Sequence, residues 1–328
     1  MTVDVTVVEV APRDGFQSLR DIVPTQEKIE IVEALAAAGF ARMEIGAFVS
    51  PRALPQMTDA AAVAAACLPR LDACRPAALV PNRRGAAAAI AAGLRELVFV
   101  LSVCERHNRA NVGCDTARSV AELAGLVAEH DAELAHLRID LATSFDSPFE
   151  GAVPMARTLE LMRQVLTLAP HAEICLCDTT GRAFPSQVRA LFDQAMRGSG
   201  AGGVAFHPHD TYGFAIANVL AAAESGVRVF DAAAGGLGGC PFAPGATGNA
   251  ASEDVAFALA CEGLQTGLDP ARLLAAADRV AALGPAAAAG HLRTAPRARL
   301  LEDWTKRAVT FGSEAAPRER YNETIRRT

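Results

Sequence analysis

Two histidines two positions apart, His207 and His209, follow an apolar run in the stretch AFHPHD. Successive side chains of a strand alternate between its two faces, so both imidazoles point the same way, with Cα atoms about 6–7 Å apart. At that spacing both rings can reach one divalent cation. The alternative is a pair of buried histidines satisfied by hydrogen bonds. We favour a metal site, because two histidines on one face at a strand end are uncommon by chance.

Residues with suitable donor atoms stand at two further places in the chain. Asp14 lies in APRDGFQS, directly after a run of valines near the N-terminus. Asn249 and Cys240 lie in AAGGLGGCPFAPGATGNAASED, a glycine-rich stretch that is long for a connector inside a compact domain. One carboxylate, two imidazoles and one amide oxygen suit Mg²⁺, Mn²⁺ or another octahedral divalent ion. The sequence therefore predicts a metal site formed by Asp14, His207, His209 and Asn249.

Polar side chains also follow other apolar runs. They are Arg13, Glu44, Glu105, Asn108 and Asp178. Taken alone, Asp14-Gly15 could be an ordinary turn with Arg13 on the surface. In a barrel of parallel strands, however, catalytic residues gather at the C-terminal ends of the strands. The shared position of these residues therefore favours one polar site at one end of the fold.

Short apolar runs alternate with amphipathic, alanine-rich segments along the chain. The runs are unbroken rather than alternating, as expected of parallel strands buried on both faces. They cover residues 3–10, 42–45, 77–80, 97–101, 137–141, 173–177, 203–206 and 227–232. Eight strand–helix units predict an α/β fold, a closed (β/α)₈ TIM barrel with extra C-terminal helices; a doubly wound sheet is the alternative. We expect a barrel domain over 1–290 and a C-terminal extension over 291–328.

Composition narrows the class of protein. The chain has 328 residues, a formal charge of −6 and 51% hydrophobic content, which argues against a nucleic-acid or membrane-surface protein. Its eight cysteines lie scattered through apolar segments without a Cys-x-x-Cys pair, which favours reduced thiols over disulfides or a structural zinc site. No signal peptide is evident, and the alanine-rich runs are too short to span a bilayer. We expect a cytoplasmic protein.

Six stretches of the sequence together resemble one known family. They read VEVAPRDGFQS, MEIGAFVSPRALPQM, PNRRG, CDTTG, FHPHDTYGFAIAN and GGLGGCPFAPGATGN, in this order along most of the chain. The family is that of 3-hydroxy-3-methylglutaryl-CoA lyase. The resemblance implies a (β/α)₈ barrel that cleaves 3-hydroxy-3-methylglutaryl-CoA to acetyl-CoA and acetoacetate with a divalent metal, Mg²⁺ or Mn²⁺.

The resemblance also implies roles for individual residues. The expected metal ligands are the four found above, Asp14, His207, His209 and Asn249. Arg13 resembles the arginine that polarises the thioester carbonyl and stabilises the enolate, and Cys240 resembles the cysteine that acts as acid. Glu44 and Asp178 resemble polar residues that line the site. The base that removes the hydroxyl proton is expected to be His207 or Asp178.

An acyl-CoA substrate needs further contacts from the protein. The residues expected to bind substrate are Gln17, Arg83, Arg84, Glu105 and Asn111, with Arg109 as a further candidate. The arginines are expected to contact CoA phosphates, because guanidinium pairs well with phosphate; solvated surface arginines are the alternative. We expect no nucleic-acid or membrane partner, and we expect a homo-oligomer, a dimer.

One loop departs from the family pattern. After the fifth strand the family commonly reads Tyr-Val-Ser-x-x-x-Gly-Cys-Pro-Tyr-Glu-Gly, whereas this chain reads DLATSFDSPFEG, with Asp140, Asp146 and Ser147 replacing the aromatic, the glycine and the cysteine. Because the loop borders the acyl pocket in the resemblance, a related substrate such as citramalyl-CoA or a longer-chain glutaryl derivative stays open. A Claisen-type synthase on the same barrel and a non-catalytic metal-binding protein also stay open.

Overall fold

Eight parallel strands form a closed barrel. The computed structural model of the chain describes residues 3–239, 248–285 and 288–313. Each barrel strand pairs with its neighbours in chain order, and the first pairs with the last. The strands are β1 Thr6–Glu9, β2 Arg42–Ala47, β3 Arg75–Val80, β4 Glu96–Ser102, β5 His136–Ala142, β6 Glu173–Cys177, β7 Val204–His207 and β8 Val229–Ala232. The predicted barrel is confirmed, and the doubly wound alternative is wrong because Thr6 lies opposite Val229 and closes the sheet.

Helices follow the strands and surround the barrel. They are α1 Thr25–Ala37, α2 Ala60–Cys67, α3 Arg83–Ala91, α4 Glu105–Val112, α5 Thr116–His130, α6 Met155–Leu168, α7 Pro185–Gly198, α8 Ala215–Glu224, α9 Ser252–Cys261, α10 Pro270–Leu283 and α11 Arg297–Ser313. Short 3₁₀ turns cover Pro55–Met57, Leu68–Arg70, Asp131–Glu133, Ala234–Gly236 and Leu292–Thr294. A small antiparallel pair, Asp146–Ser147 with Gly151–Ala152, follows β5. Helices α10 and α11 confirm the expected extra C-terminal helices.

Helix α4 has no counterpart in the apolar pattern of the sequence. Its eight residues, ERHNRANV, form no apolar stripe, so periodicity predicts no helix here. Caps at its two ends stabilise this helix instead. At the N-terminus the Cys104 sulfur accepts a hydrogen bond from the His107 amide, and at the C-terminus the helix ends at Gly113, whose φ of 77° favours glycine. Asn108 is buried in α4, where its Oδ1 accepts from the Ser102 amide at 2.8 Å. Asn108 therefore secures the end of β4.

The helices bury regular apolar stripes against the outer face of the barrel. In α7 the buried side chains recur at helical spacing, at Val188, Leu191, Phe192 and Ala195. The ring of Phe192 packs edge-on against Phe206 of β7, with centroids 5.1 Å apart. Burying each such aromatic ring contributes about 1.5–3 kcal/mol. Because neighbouring strand residues face opposite sides, Phe206 on the outer face leaves His207 pointing into the barrel.

Ion pairs fill much of the barrel interior. Arg42 of β2 binds Glu173 of β6 through two hydrogen bonds of 2.8 and 3.0 Å, and these strands lie on opposite sides of the barrel. Arg138 of β5 likewise reaches across to Asp231 of β8. A barrel of this class usually packs branched apolar side chains in its interior. Here the buried charges are paired, as burial of charge requires.

The C-terminal extension packs back onto the barrel helices. The amides of His291 and Leu292 donate to the carboxylate of Asp254 at 2.8 and 2.9 Å. Trp304 of α11 is 5% exposed and packs edge-on against Phe257 of α9, with centroids 5.2 Å apart. Within the described ranges, we find no helix both long enough and apolar enough to cross a membrane.

Candidate active site

A π-helical turn after β1 presents Arg13 and Asp14. The turn covers Ala11–Gly15, and the Val10 carbonyl accepts from the amides of Asp14 at 2.7 Å and Gly15 at 3.4 Å. Single π-turns of this kind are frequent at functional sites. Space at Gly15 is tight, since a Cβ there would lie 3.2 Å from both the Leu237 carbonyl oxygen and its side chain. The Asp14-Gly15 pair therefore belongs to a buried turn rather than to a surface one.

The segment after the glycine-rich stretch lies alongside the histidine pair. Backbone hydrogen bonds join Asp210 to Gly248 at 2.9 Å and Ala250 to Pro208 at 3.2 Å, so residues 248–250 run antiparallel to residues 208–210. This pairing places Asn249 directly opposite His209. Two segments about 40 residues apart in sequence are thereby held in register by their backbones.

The four predicted metal ligands come together at the C-terminal end of the barrel strands, and all four are buried. Ligand atoms of Asp14, His207 and His209 lie within 4.8 Å of one another. The two histidine Nε2 atoms are 3.1 Å apart, and His207 Nε2 is 3.9 Å from Asp14 Oδ2. Asn249 Nδ2 donates to Asp14 Oδ2 at 2.8 Å. The geometric part of the prediction, that these side chains converge, thus agrees with the fold.

The donor set fits a divalent ion. Two imidazole nitrogens that face each other at 3.1 Å share one hydrogen at most, whereas a cation between them satisfies both. Asn249 Oδ1 is buried and finds no hydrogen-bond partner among the described residues. Burial and the neighbouring His207 lower the pKa of His209 to about 4, which leaves that imidazole neutral and able to ligate. Oxygen and nitrogen donors of this kind suit Mg²⁺ or Mn²⁺.

Asp231 orients His207, and sequence reasoning missed it. Its Oδ2 lies 2.9 Å from His207 Nδ1, so Nδ1 donates and Nε2 faces the ligand cluster. Arg138 holds the same carboxylate through both of its terminal nitrogens. Burial lowers the pKa of His207, but the hydrogen bond and charge of Asp231, together with Asp14, raise it above its ordinary value overall. An aspartate inside the apolar run of β8 was the available signal.

Arg13 is a buried cation tied to two carboxylates. Its Nε donates to Glu44 Oε2 at 2.5 Å, and its Nη1 donates to Asp14, whose Oδ1 also accepts from Gln17. Burial lowers the pKa of Arg13, but Glu44 and Asp14 raise it above its ordinary value, so the guanidinium stays charged. Burial raises the pKa of Asp14, but Arg13 and the two histidines lower it overall. Glu44 Oε1 is buried without a partner in the described structure.

Asp178 lies at the end of β6, beside the histidine strand. Its amide donates to the His207 carbonyl at 2.9 Å. Burial raises the pKa of Asp178 to about 7, although backbone amides including that of Ala183 partly oppose the shift. Its Oδ1 is buried with no hydrogen-bond partner among the residues described. A carboxyl of this kind can take up or release a proton near neutral pH.

Cys240 lies outside the described residues. Four other predicted residues are described and are not joined to the ligand cluster. Arg83 is committed to Glu129 at 2.7 Å and to Glu122 at 3.4 Å, whereas Arg84 lines the cleft beside Asn82. The remaining two are on α4, where Glu105 accepts from the Thr116 amide at 3.0 Å and Asn111 is exposed. No hydrogen bond or ion pair within the described part of the chain connects Arg83, Arg84, Glu105 or Asn111 to the four ligand residues.

Comparison with known proteins places the chain in a family. The HMGL-like family matches residues 4–280. The chain belongs to the HMGL-like family. It is 39% identical over 287 residues to an (R)-citramalyl-CoA lyase of Chloroflexus aurantiacus, which covers 85% of this chain and 90% of the relative. It is 38% identical over 275 residues to a hydroxymethylglutaryl-CoA lyase of Bacillus subtilis, covering 83% of this chain and 91% of the relative.

Solved structures agree with this assignment to the HMGL-like family. An HMG-CoA lyase from Acinetobacter baumannii, in complex with coenzyme A and 3-methylmalate, superposes with a TM-score of 0.85 at 37% identity. The match covers 90% of this chain and 97% of that structure. As a member of the HMGL-like family with lyases as relatives over most of its length, this protein is a carbon–carbon lyase. The resemblance drawn from the sequence motifs is confirmed.

Proposed function

We propose that the protein cleaves a branched 3-hydroxyacyl-CoA by a metal-assisted retro-Claisen reaction, with 3-hydroxy-3-methylglutaryl-CoA as substrate and acetyl-CoA and acetoacetate as products. The convergence of Asp14, His207, His209 and Asn249 beside the buried Arg13 is the observation that carries this proposal. The hydroxymethylglutaryl-CoA lyases among its relatives support the choice of substrate.

The four clustered residues would hold the divalent ion. Such an ion, when bound, supplies a Lewis acid that lowers the pKa of the substrate's tertiary hydroxyl. Arg13 supplies a permanent positive charge next to this cluster, where the thioester carbonyl gains negative charge as the carbon–carbon bond breaks. Because that charge is larger in the transition state than in the substrate, Arg13 accelerates the reaction instead of only tightening binding. Glu44 holds the guanidinium at its Nε and so fixes its direction.

Asp178 is the better of the two candidates for the base. His207 donates through Nδ1 to Asp231 and directs Nε2 towards the ligand cluster, so a ligating His207 keeps no free nitrogen for proton transfer. Asp178 keeps an unpartnered oxygen in the described structure, and its pKa of about 7 matches the needs of a base at neutral pH. We therefore propose that Asp178 takes the hydroxyl proton.

Cys240 is proposed as the acid that protonates the enolate carbon. It follows Gly239, and the glycines that flank the segment 240–247 touch: a Cβ on Gly248 would lie 2.3 Å from the Gly239 nitrogen. Asn249 directly follows Gly248, and its Nδ2 also donates to the Leu237 carbonyl at 3.2 Å. Gly239 and Gly248 therefore both lie beside the ligand cluster. A thiol with an ordinary pKa of about 8.5 can deliver a proton there.

Arg84 is the stronger candidate for a CoA phosphate contact. Arg83 already binds two glutamates, whereas Arg84 makes no ion pair among the described residues and lines a cleft with Phe48 and Asn82. A guanidinium without a carboxylate partner can bind phosphate at no cost in lost ion pairs. The roles of Gln17, Glu105 and Asn111 in substrate binding stay predictions.

A panel of acyl-CoA thioesters tests the proposed reaction. The purified protein, freed of metal and then given Mg²⁺ or Mn²⁺, is expected to release acetyl-CoA from 3-hydroxy-3-methylglutaryl-CoA without any added 2-oxo acid. Acetoacetate should appear in equal amount, because one bond is broken per turnover. Consumption of acetyl-CoA together with an added 2-oxo acid, without cleavage of any thioester in the panel, would indicate a synthase. Absence of acetyl-CoA from every thioester with either metal would contradict the proposal.

Citramalyl-CoA is the second candidate substrate. The 39% identity to an (R)-citramalyl-CoA lyase supports it, as do the departures at Asp146 and Ser147 in the loop after β5, whereas Asp140 lies within β5 itself. Cleavage of citramalyl-CoA yields pyruvate in place of acetoacetate, so the second product tells the two substrates apart. The ratio of kcat/KM for the two thioesters decides between them.

We further propose that the protein works in the cytoplasm as a homodimer, with residues 1–290 as the barrel domain and 291–328 as an extension. The reduced state of the described cysteines supports the compartment, since none of them forms a disulfide. Light scattering of the purified chain after gel filtration measures the mass of the assembly. A monomeric mass over the micromolar range would contradict the dimer.

A further inference from the structure

Two cysteines and an aspartate meet in the barrel interior, on two neighbouring strands beside the strand of His207. Cys175 and Cys177 are two positions apart on β6, so their side chains share one face. Asp140 lies opposite Cys175 on β5, and Cys177 lies opposite His207 on β7. All three residues are buried. None of them has a role in the proposed lyase reaction.

We propose that Asp140, Cys175 and Cys177 form a second metal site, which takes a thiophilic divalent ion such as Zn²⁺. One ligand atom from each residue lies within 4.8 Å of the other two. The two sulfur atoms are 4.0 Å apart, and tetrahedral zinc with Zn–S bonds of about 2.3 Å needs sulfurs about 3.8 Å apart. The pair is therefore nearly in place to share one ion without movement of β6.

The charge balance of the interior permits such an ion. Without it, the thiols are neutral, because burial raises the pKa of the Cys175 thiol. On binding, Zn²⁺ forms two zinc–sulfur bonds and the two thiol protons leave to solvent, so the net charge of the interior does not change. Asp140 Oδ1 already accepts from Arg138 at 2.7 Å, which leaves the other carboxylate oxygen to ligate. The usual cost of burying a cation is therefore largely avoided.

The two metal sites differ in the ions they prefer. The ligand cluster around the histidine pair offers imidazole nitrogens and oxygens, which suit Mg²⁺ or Mn²⁺. The two thiolates of the second site select zinc and similar soft ions. Cys177 and Asp140 are 6% and 4% exposed, whereas Cys175 is fully buried. Three protein ligands leave one tetrahedral position for water.

Cobalt spectroscopy on the full chain tests the second site. Metal-free protein is titrated with Co²⁺ under reducing conditions, and thiolate-to-cobalt charge-transfer absorption is recorded. We expect this absorption in the parent and in His209→Ala, which removes a residue of the ligand cluster. We expect its loss in Cys177→Ser and Cys175→Ser. Cys67→Ser is the matched control, since Cys67 is buried in α2 away from the interior and its loss should leave the absorption unchanged.

Several outcomes would overturn the second site. One is bound Co²⁺ without charge-transfer absorption in the parent. Another is absorption that persists in the Cys175→Ser, Cys177→Ser double variant, or that disappears in Cys240→Ser, since the thiolate would then come from elsewhere. Circular dichroism confirms that each variant is folded before titration. Because the readout is absorption, an inactive lyase would not affect this test, and failure of this test would leave the lyase proposal untouched.

Discussion

Replacing Asp231 by asparagine tests how the barrel prepares His207 for metal binding. The change keeps the size of the side chain but removes the charge that pairs with His207 Nδ1 at 2.9 Å. Loss of such a partner typically reduces metal affinity 10–100-fold, which corresponds to about 1.4–2.7 kcal/mol. Because Asp231 is fully buried, water does not screen its charge. We therefore expect the effect on affinity to persist at high salt.

Titration calorimetry with Mn²⁺ measures this effect directly. Asp254→Asn is a control, because Asp254 pairs with His291 Nδ1 at 3.0 Å outside the ligand cluster. We expect Asp254→Asn to bind Mn²⁺ as the parent does. His209→Ala removes a proposed ligand and is expected to abolish binding at this site.

The reasoning about Asp231 fails if Asp231→Asn binds Mn²⁺ as tightly as the parent while His209→Ala does not bind. The carboxylate would then be a partner of Arg138 only, and His207 would be oriented by packing. Loss of binding together with loss of the folded state would be a different result, so thermal unfolding is recorded for each variant. A folded Asp231→Asn with weakened binding supports the proposed orientation of His207.

Three further substitutions address other parts of the molecule. Arg13→Met is expected to lower kcat about 10²–10³-fold, because it removes charge stabilisation of the transition state; steady-state kinetics measures this. Arg84→Met should raise KM for the CoA thioester roughly tenfold, whereas Arg83→Met should not, and equal effects would contradict the assignment. Trp304→Ala should destabilise the fold by about 3–5 kcal/mol in urea denaturation, because it empties the contact with Phe257.

The barrel could be predicted from the sequence because its signal is local. Each strand is a short, unbroken apolar run, and every predicted strand end lies within three residues of the observed one. Helix α4 could not be predicted in this way, since its stability comes from end groups at Cys104 and Gly113 and from the buried Asn108. A pattern of apolar positions carries no information about such contacts.

The residues of the ligand cluster could be predicted from the sequence, whereas the residues that orient them could not. Asp14, the histidine pair and Asn249 stand in motifs whose residue types and spacing are distinctive. Arg138 and Asp231 are 93 residues apart and meet only because β5 and β8 face each other across the barrel. No spacing rule predicts a contact of this kind, because it depends on closure of the sheet.

Asn249 is fixed in the site by its backbone and by its side chain. Backbone hydrogen bonds on both sides of Asn249 join residues 248 and 250 to the chain around His209. The amide of Asn249 is held as well, by Asp14 and by the Leu237 carbonyl. All of these contacts come from Asp14, Leu237 and the chain around His209, so the position of Asn249 is set by the strand ends of the barrel and the turn after β1.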